Sequence, residues 1–169
     1  VCLSSQVGCV LDCHFCATGE LGLKRNLSTG EIVDQLIYVR ENTDQPITNV
    51  VFMGMGEPFH NYNNVLNASD IFHSPKGFNL ASTRITISTA GLLPQINKFI
   101  KEKRRYKLAI SLNAPNDKVR TKIMPINNKW SINDLIKSGK EYSNQKKRII
   151  MFEYVLLKGI NDSQEDALE

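Results

Sequence analysis

Five short runs rich in aliphatic and β-branched residues, each followed by a helical pattern, constrain this chain more than any other feature. The runs are residues 1–6, 48–53, 83–89, 106–112 and 148–157. Runs of that length and composition predict strands. Between them lie amphipathic stripes: Ile32, Val33, Leu36, Ile37 and Val39 after a Ser28-x-x-Glu31 capping box, then Val65, Leu66, Ile71 and Phe72, then Leu92, Leu93, Ile96, Phe99 and Ile100. A short helix capped by Asp117 is expected to run to Ile123, and a longer one spans residues 131–143. Asp162 or Ser163 caps a last helical pattern. Strands alternating with helices imply right-handed crossovers and a mainly parallel sheet, so the fold class is α/β. A doubly wound sheet and an incomplete barrel fit the alternation equally well. In both, ligands gather where the strands end.

The cysteines are the chemical signal. All four fall in the first 16 residues, and Cys9, Cys13 and Cys16 stand at Cys-x3-Cys-x2-Cys spacing on a loop after the first predicted strand. Three soft thiolates on so short a loop suit an iron-sulfur cube or a zinc ion. A four-iron cluster held by three cysteines keeps one iron open to a ligand, whereas a structural zinc needs a fourth donor, here Cys2, His14, His60 or His73. A pair of disulfides is the third reading.

Length and charge narrow the class further. A chain of 169 residues is expected to form one domain with a real core. It opens at Val1 and stops at Glu169 as a helical pattern begins, which we read as a piece of a longer protein. No apolar run approaches the ~18 residues of a membrane span, so no membrane partner is expected. Clustered rather than dispersed cysteines fit a reducing cytoplasm. Residues 1–85 carry 5 Lys and Arg against 8 Asp and Glu, and residues 86–169 carry 16 against 9, so the net charge of +4 comes from the second half. Its basic runs, 101–107 and 146–148, are suited to solvated helix ends or to phosphate contacts.

Four loops are expected to share the mouth at the strand ends: the cysteine loop, residues 54–58, residues 88–91 and residues 111–115. In Gly54-Met55-Gly56-Glu57-Pro58 the glycines let backbone approach a ligand and Glu57 offers a carboxylate to an ammonium group. Phe59 stands where a dinucleotide fingerprint would need its third glycine. Ser88, Ser111 and Asn113 are candidate ligand contacts or simple turn residues. Phe15 offers an aromatic face to a purine or to the core.

Taken together, these motifs resemble the radical S-adenosylmethionine superfamily. Within it they are most similar to RNA adenine methyltransferases of the RlmN and Cfr type. The residues that carry the likeness are Cys2-Leu3-Ser4-Ser5-Gln6-Val7-Gly8-Cys9, Cys13-His14-Phe15-Cys16, Gly54-Met55-Gly56-Glu57-Pro58, Ile87-Ser88-Thr89, Ser111-Leu112-Asn113-Ala114-Pro115, Met124-Pro125-Ile126-Asn127 and Glu153-Tyr154-Val155.

The resemblance implies a partial (β/α)6 barrel lacking its sixth strand, with residues 1–169 as an incomplete catalytic core that an N-terminal accessory domain and a C-terminal segment would complete. It implies that Cys9, Cys13 and Cys16 hold a [4Fe-4S] cluster and that S-adenosylmethionine binds its open iron. Gly56 and Glu57 would then meet the methionine ammonium, while Ser88 and Ser111, Leu112 and Asn113 would contact the nucleoside. It makes Cys2 the catalytic thiol that deprotonates the RNA adduct. The implied reaction methylates carbon 2 of an adenine in 23S ribosomal RNA, with tRNA as a second candidate substrate. Pro58 favours carbon 2 over the carbon-8 alternative by resemblance. Flavodoxin or ferredoxin would supply electrons, and the enzyme would be cytoplasmic. A zinc-stabilised RNA-binding module is the competing non-enzymatic reading. Two positions depart from the family pattern: Asn113 stands where a histidine is usual, and the methyl-carrying cysteine is not among the four present.

Overall fold

A computed structural model describes residues 1–146 and 149–169. Its sheet contains β3 (Val50–Phe52), β4 (Ile85–Thr89), β5 (Lys107–Ser111) and β6 (Met151–Glu153), all parallel and in that spatial order. Residues 1–3 run along the free side of β3: Val51 donates to the Val1 carbonyl, Leu3 donates to the Val51 carbonyl, and Cys2 pairs with Val51 in parallel. Strand position thus follows chain order, with no reversal. A doubly wound sheet reverses at a switch point. This one does not, so the architecture is the arc of an incomplete barrel, and the strand order decides between the two expected forms.

The helices α2 (Thr29–Glu41), α3 (Tyr62–His73), α4 (Leu93–Lys101), α5 (Asp117–Ile123) and α6 (Ile132–Lys146) form the crossovers, and α7 (Gln164–Leu168) follows β6. A short helix α1 (Ala17–Glu20) closes the cysteine loop. The core lies between the outer face of the arc and these helices. Val50 and Phe52, Ile85 and Ile87, Leu108 and Ile110 pack there with Leu36, Leu66, Phe72, Phe99 and Tyr142. Side chains alternate along a strand. The concave inner face therefore receives the remaining positions, including Val51, Thr86, Ser88, Ala109, Ser111 and Glu153. Every residue of β4 is buried, as a central parallel strand covered on both faces requires.

Local chemistry sets the element ends. Ser28 and Glu31 make the expected capping box at α2, and Ser163 rather than Asp162 caps α7 with Asp166. Asn116, one residue before the expected Asp117, caps α5 by accepting from the Val119 amide. Asp117 instead accepts from Asn127 Nδ2 and from the Ile132 amide, tying the start of α6 to that of α5.

Two strands depart from expectation. The first splits after Leu3, and Gln6–Val7 (β1) turns to pair antiparallel with Arg25–Asn26 (β2). Ser5 and Gln6 both donate to the Met55 carbonyl, which draws the chain across the end of β3. The last strand is only Met151–Glu153, because beyond it the Val155 amide bonds the Asn113 side chain instead of a neighbouring strand. Lys147 and Arg148, part of the second basic run, lie outside the described residues.

Candidate active site

The strand ends open on a cavity of about 450 Å³. Cys9, Cys13 and Cys16 form one wall, Gly54, Gly56, Glu57 and Pro58 a second, and Ser88, Thr89, Ser111, Asn113 and Glu153 the wall opposite. The four loops expected to meet do meet.

The cysteine loop is held by its own backbone and by two distant contacts. Cys16 N–H donates to the Cys13 carbonyl, the Leu11 amide points to Cys9 Sγ at 3.4 Å, and the His14 amide donates to the carbonyl of Ile123 in α5. Gly8 admits no side chain: its φ is +79°, and a Cβ there would stand 1.8 Å from the Gly22 carbonyl oxygen. Burial pushes the Cys9 thiol up. Burial first, then the neighbouring Cys9 and Cys16, push Cys13 up to about 12, with Arg120 opposing. Three half-buried thiols lining one wall fit a cationic, thiophilic group, which binds them as thiolates and removes that cost.

The set does not fit a single zinc ion. Among the described residues no three His, Cys, Asp or Glu side chains are gathered closely enough to hold one metal ion. The proposed fourth donors are scattered. His60 Nδ1 pairs with Gln6 Nε2, the His73 ring bonds the Leu80 carbonyl and Arg105, the His14 side chain is exposed, and Cys2 lines a different groove. The cysteines are also unpaired, which removes the disulfide reading. A cluster of several irons takes thiols set farther apart than ~2.3 Å bonds to one zinc allow.

The second wall is built for close packing. A Cβ on Gly56 (φ +97°) would lie 2.5 Å from the Gln6 Cβ, and one on Gly54 2.8 Å from the Leu3 carbonyl oxygen. These glycines therefore bring the loop against the first strand, in addition to lining the cavity. Glu57 is 3% exposed, and its two oxygens accept from the amides of Phe59 (2.9 Å) and Ala90 (2.8 Å), so the carboxylate braces the loop after β3 to the loop after β4. Burial raises its pKa to about 7 against the pull of those amides.

On the third wall Ser88 and Ser111 both donate to Glu153. Asn113 sits at φ +57°, a backbone state asparagine tolerates better than most residues, with its Oδ1 taking the Val155 amide and its Nδ2 pointing to Met124 Sδ. It lines the cavity while fastening the β5 loop to the β6 loop. Leu112 does not line it. Its side chain packs against the main core, and only its backbone serves the site, donating to the Glu153 carbonyl and accepting from Arg120. Phe15 lines the cavity and packs against the small cluster of Ala114, Ile123 and Met124.

Cys2 is exposed and lines a shallow groove beside α2, separate from the cavity. Its pairing with Val51, and that of Val51 with Thr86, nevertheless place it on the concave face. That row lies one below Ser88, about 7 Å along the strands.

Two important residues, Arg120 and Glu153, have no spacing signal of their own. Arg120 is fully buried beneath the mouth and ties three loops together. Glu153 lies in a motif that carries the family likeness, but its neighbours along the chain give it no task, and only the sheet register sets it beside Ser111.

Comparison with known proteins agrees with this geometry. The chain is 50% identical over 167 residues to the probable dual-specificity RNA methyltransferase RlmN of Leptospira interrogans serovar Lai, a match covering 99% of this chain and 47% of that protein. It is 48% identical over 172 residues to the probable RlmN of Dictyoglomus turgidum, covering 100% and 49%. The chain thus spans about half the length of the curated relatives it matches. The crystal structure of a radical SAM methyltransferase from Sphaerobacter thermophilus superposes with a TM-score of 0.93 at 44% identity, over 99% of this chain and 50% of that one. Streptococcus suis SuiB bound to S-adenosylmethionine, at 17% identity and TM-score 0.68, shares the fold. The Radical SAM superfamily model matches residues 3–169, and the chain belongs to that superfamily.

Proposed function

We propose that this chain is the core of a radical S-adenosylmethionine RNA methyltransferase that modifies carbon 2 of an adenine in ribosomal RNA, and in tRNA. The observation that carries this reading is the meeting of three cysteines with Gly56, Glu57, Ser88 and Ser111 around one cavity. Its volume falls within the range of small-molecule sites. The likeness to RlmN proteins over nearly the whole chain supports the substrate class.

In this reading Cys9, Cys13 and Cys16 hold a [4Fe-4S] cluster. When bound, that group supplies an open iron and the electron that cleaves S-adenosylmethionine to a 5′-deoxyadenosyl radical. The chain's own residues bind and orient the cofactor. Gly56 and Glu57 face the methionine ammonium, Ser88 and Ser111 hold the nucleoside, and Asn113 keeps the β5 and β6 loops at fixed spacing. The three walls exclude water around a reactive carbon. Cys2, on the concave face one row below Ser88, takes the proton from the RNA adduct. A cysteine outside residues 1–169 carries the methyl group, and accessory segments on both sides complete the enzyme. The electron donor is a flavodoxin or ferredoxin, and the compartment is the cytoplasm.

Anaerobic reconstitution with iron and sulfide tests the reading. The expected product is a brown protein that cleaves S-adenosylmethionine on reduction; a colourless protein that takes up one zinc ion and cleaves nothing sinks it. Cys13→Ala is expected to abolish cluster absorbance. In the full-length enzyme Cys2→Ala is expected to leave the cluster intact and to stall with RNA covalently attached, and normal product release by that variant removes Cys2 from the mechanism.

A further inference from the structure

Arg120 is a fully buried cation whose hydrogen-bond partners are all neutral. Its guanidinium donates to the carbonyls of Leu112, Ala90 and Ser111 and to the side-chain oxygen of Asn127. No carboxylate pairs with it among the described residues. Asp117, three residues earlier, is exposed and turns its carboxylate to Asn127 and to the Ile132 amide. A buried cation is costly unless a negative group balances it. The cysteine loop is placed to supply that group. The His14 amide donates to the Ile123 carbonyl at 3.0 Å, Cys13 packs against Ile123 and Met124, and the Met124 amide donates to the Arg120 carbonyl at 2.7 Å. Ala90 and Ser111, whose carbonyls hold the guanidinium, line the same cavity as Cys13. The electrostatics agree with that placement. Cys13 favours the charged guanidinium more than Asp117 does, and Arg120 pulls the Cys13 thiol down where Cys9, Cys16 and Glu57 push it up.

We propose that Arg120 is the counter-ion of the cluster that Cys9, Cys13 and Cys16 hold, and that its charge sets how readily the cluster takes up an electron. The inference rests on the reading that these cysteines carry a [4Fe-4S] group. Three thiolates around the oxidised core leave a single net negative charge. One electron from the donor protein makes that charge double, with no bond formed or broken in the step. A fixed positive charge stabilises the doubly negative form more than the singly negative one, so it raises the reduction potential. Burial keeps the interaction strong, because salt screens a buried pair far less than an exposed one. The four neutral acceptors fix where the charge sits without cancelling it, so the guanidinium stays available to the thiolates.

The test is a reductive titration of the full-length, cluster-loaded protein under anaerobic conditions without S-adenosylmethionine, followed by the electron paramagnetic resonance of the reduced cluster. Arg120→Met is expected to lower the reduced-to-oxidised ratio at the wild-type midpoint by about ten-fold, a shift of about 59 mV for one electron. Arg120→Lys keeps the charge and loses the fork, and its ratio is expected to stay within about three-fold of wild type. Asn127→Asp keeps the fork and sets a carboxylate against Nη1. It is expected to lower the ratio as Arg120→Met does, and it carries the test where the Met variant fails to fold. A merely structural role gives another pattern. Both Arg120 variants would then move together, and water admitted by looser packing would solvate the more charged reduced cluster and raise the midpoint. A midpoint that stays at the wild-type value in either Arg120→Met or Asn127→Asp overturns the inference and leaves the functional reading standing. So does a fall in Arg120→Lys as large as that in Arg120→Met. If the reconstituted wild type shows no iron-sulfur absorbance, the functional reading falls and takes the counter-ion with it.

Discussion

Arg120 has no exposed surface, yet it spends its guanidinium entirely on backbone and amide oxygens. Nε donates to the Leu112 carbonyl at 3.0 Å, Nη1 to Asn127 Oδ1 at 3.0 Å, and Nη2 to the carbonyls of Ala90 and Ser111 at 2.7 and 2.9 Å. Burial lowers its pKa to about 10, which leaves it a cation at neutral pH. One side chain thereby fixes the loops after β4 and β5 and the turn after α5, using a planar fork that no other residue offers. Arg120→Met is expected to cost about 3 kcal/mol, since one buried and three half-buried acceptors lose their donor. Arg120→Lys should recover little of it, because a point ammonium cannot span the same oxygens. Urea unfolding midpoints measure both, and a wild-type midpoint in the Lys variant would deny the fork its role. Nothing in the pattern Asp117-Lys118-Val119-Arg120 marks this residue as buried, because the acceptors that hold it come from three separate segments. Cys9, Cys13 and Cys16 are legible for the opposite reason: their relation is local, and spacing alone describes it.

At the scale of elements, α2 shows how far local chemistry reaches. Ser28 and Glu31 exchange backbone hydrogen bonds, and Arg25 of β2 grips the same Glu31 with two donors at 2.9 and 2.7 Å. Arg25 first, then the Ser28 backbone and hydroxyl, lower the Glu31 pKa from 4.5 to about 2. The folded form therefore holds the proton less tightly than the unfolded one. The contribution is complete above about pH 4.5 and is lost as pH falls through about 2. Glu31→Gln is expected to flatten this part of the acid limb of a stability-against-pH curve, and an unchanged limb would show the pair idle. Ser28→Ala should cost about 1 kcal/mol, as the loss of a cap generally does. Capping boxes are readable because donor and acceptor lie three residues apart. The ends of the first and last strands are not. Residues 1–6 read as one strand, yet the Met55 carbonyl and the partner strand Arg25–Asn26 break it in two.

The whole molecule has two unlike ends. The cavity opens where the strands finish, and α5, with Lys118 and Lys122 exposed, follows the mouth directly. The basic stretch 101–107 lies between the end of α4 and the start of β5, at the opposite end of the sheet. Much of its charge is already engaged: Arg104 pairs with Glu102 at 2.7 Å and Asp70 at 3.5 Å, and Arg105 meets His73. On the proposed reading, an adenine bound for the cavity would approach from the other side. Lys101→Gln combined with Lys103→Asn, the latter chosen because Lys103 sits at φ +53°, is expected to leave RNA affinity unchanged. Its salt dependence should stay the same too, because removing a lysine that neutralises a phosphate would lower the slope by about one. A clear fall in that slope would place RNA on the lower end instead.

By itself the sequence determined the alternation of strands and helices, the capping box of α2, the cysteine loop and its likeness to the radical SAM superfamily, because each of these is written in residues near one another along the chain. The tertiary structure decided the rest. Parallel strands in chain order made an arc rather than a doubly wound sheet, and their register set Glu153 beside Ser111, Cys2 on the concave face, and Leu112 away from the cavity. Those relations join residues tens of positions apart, and only the packing of the sheet against its helices fixes which side of a strand each one faces.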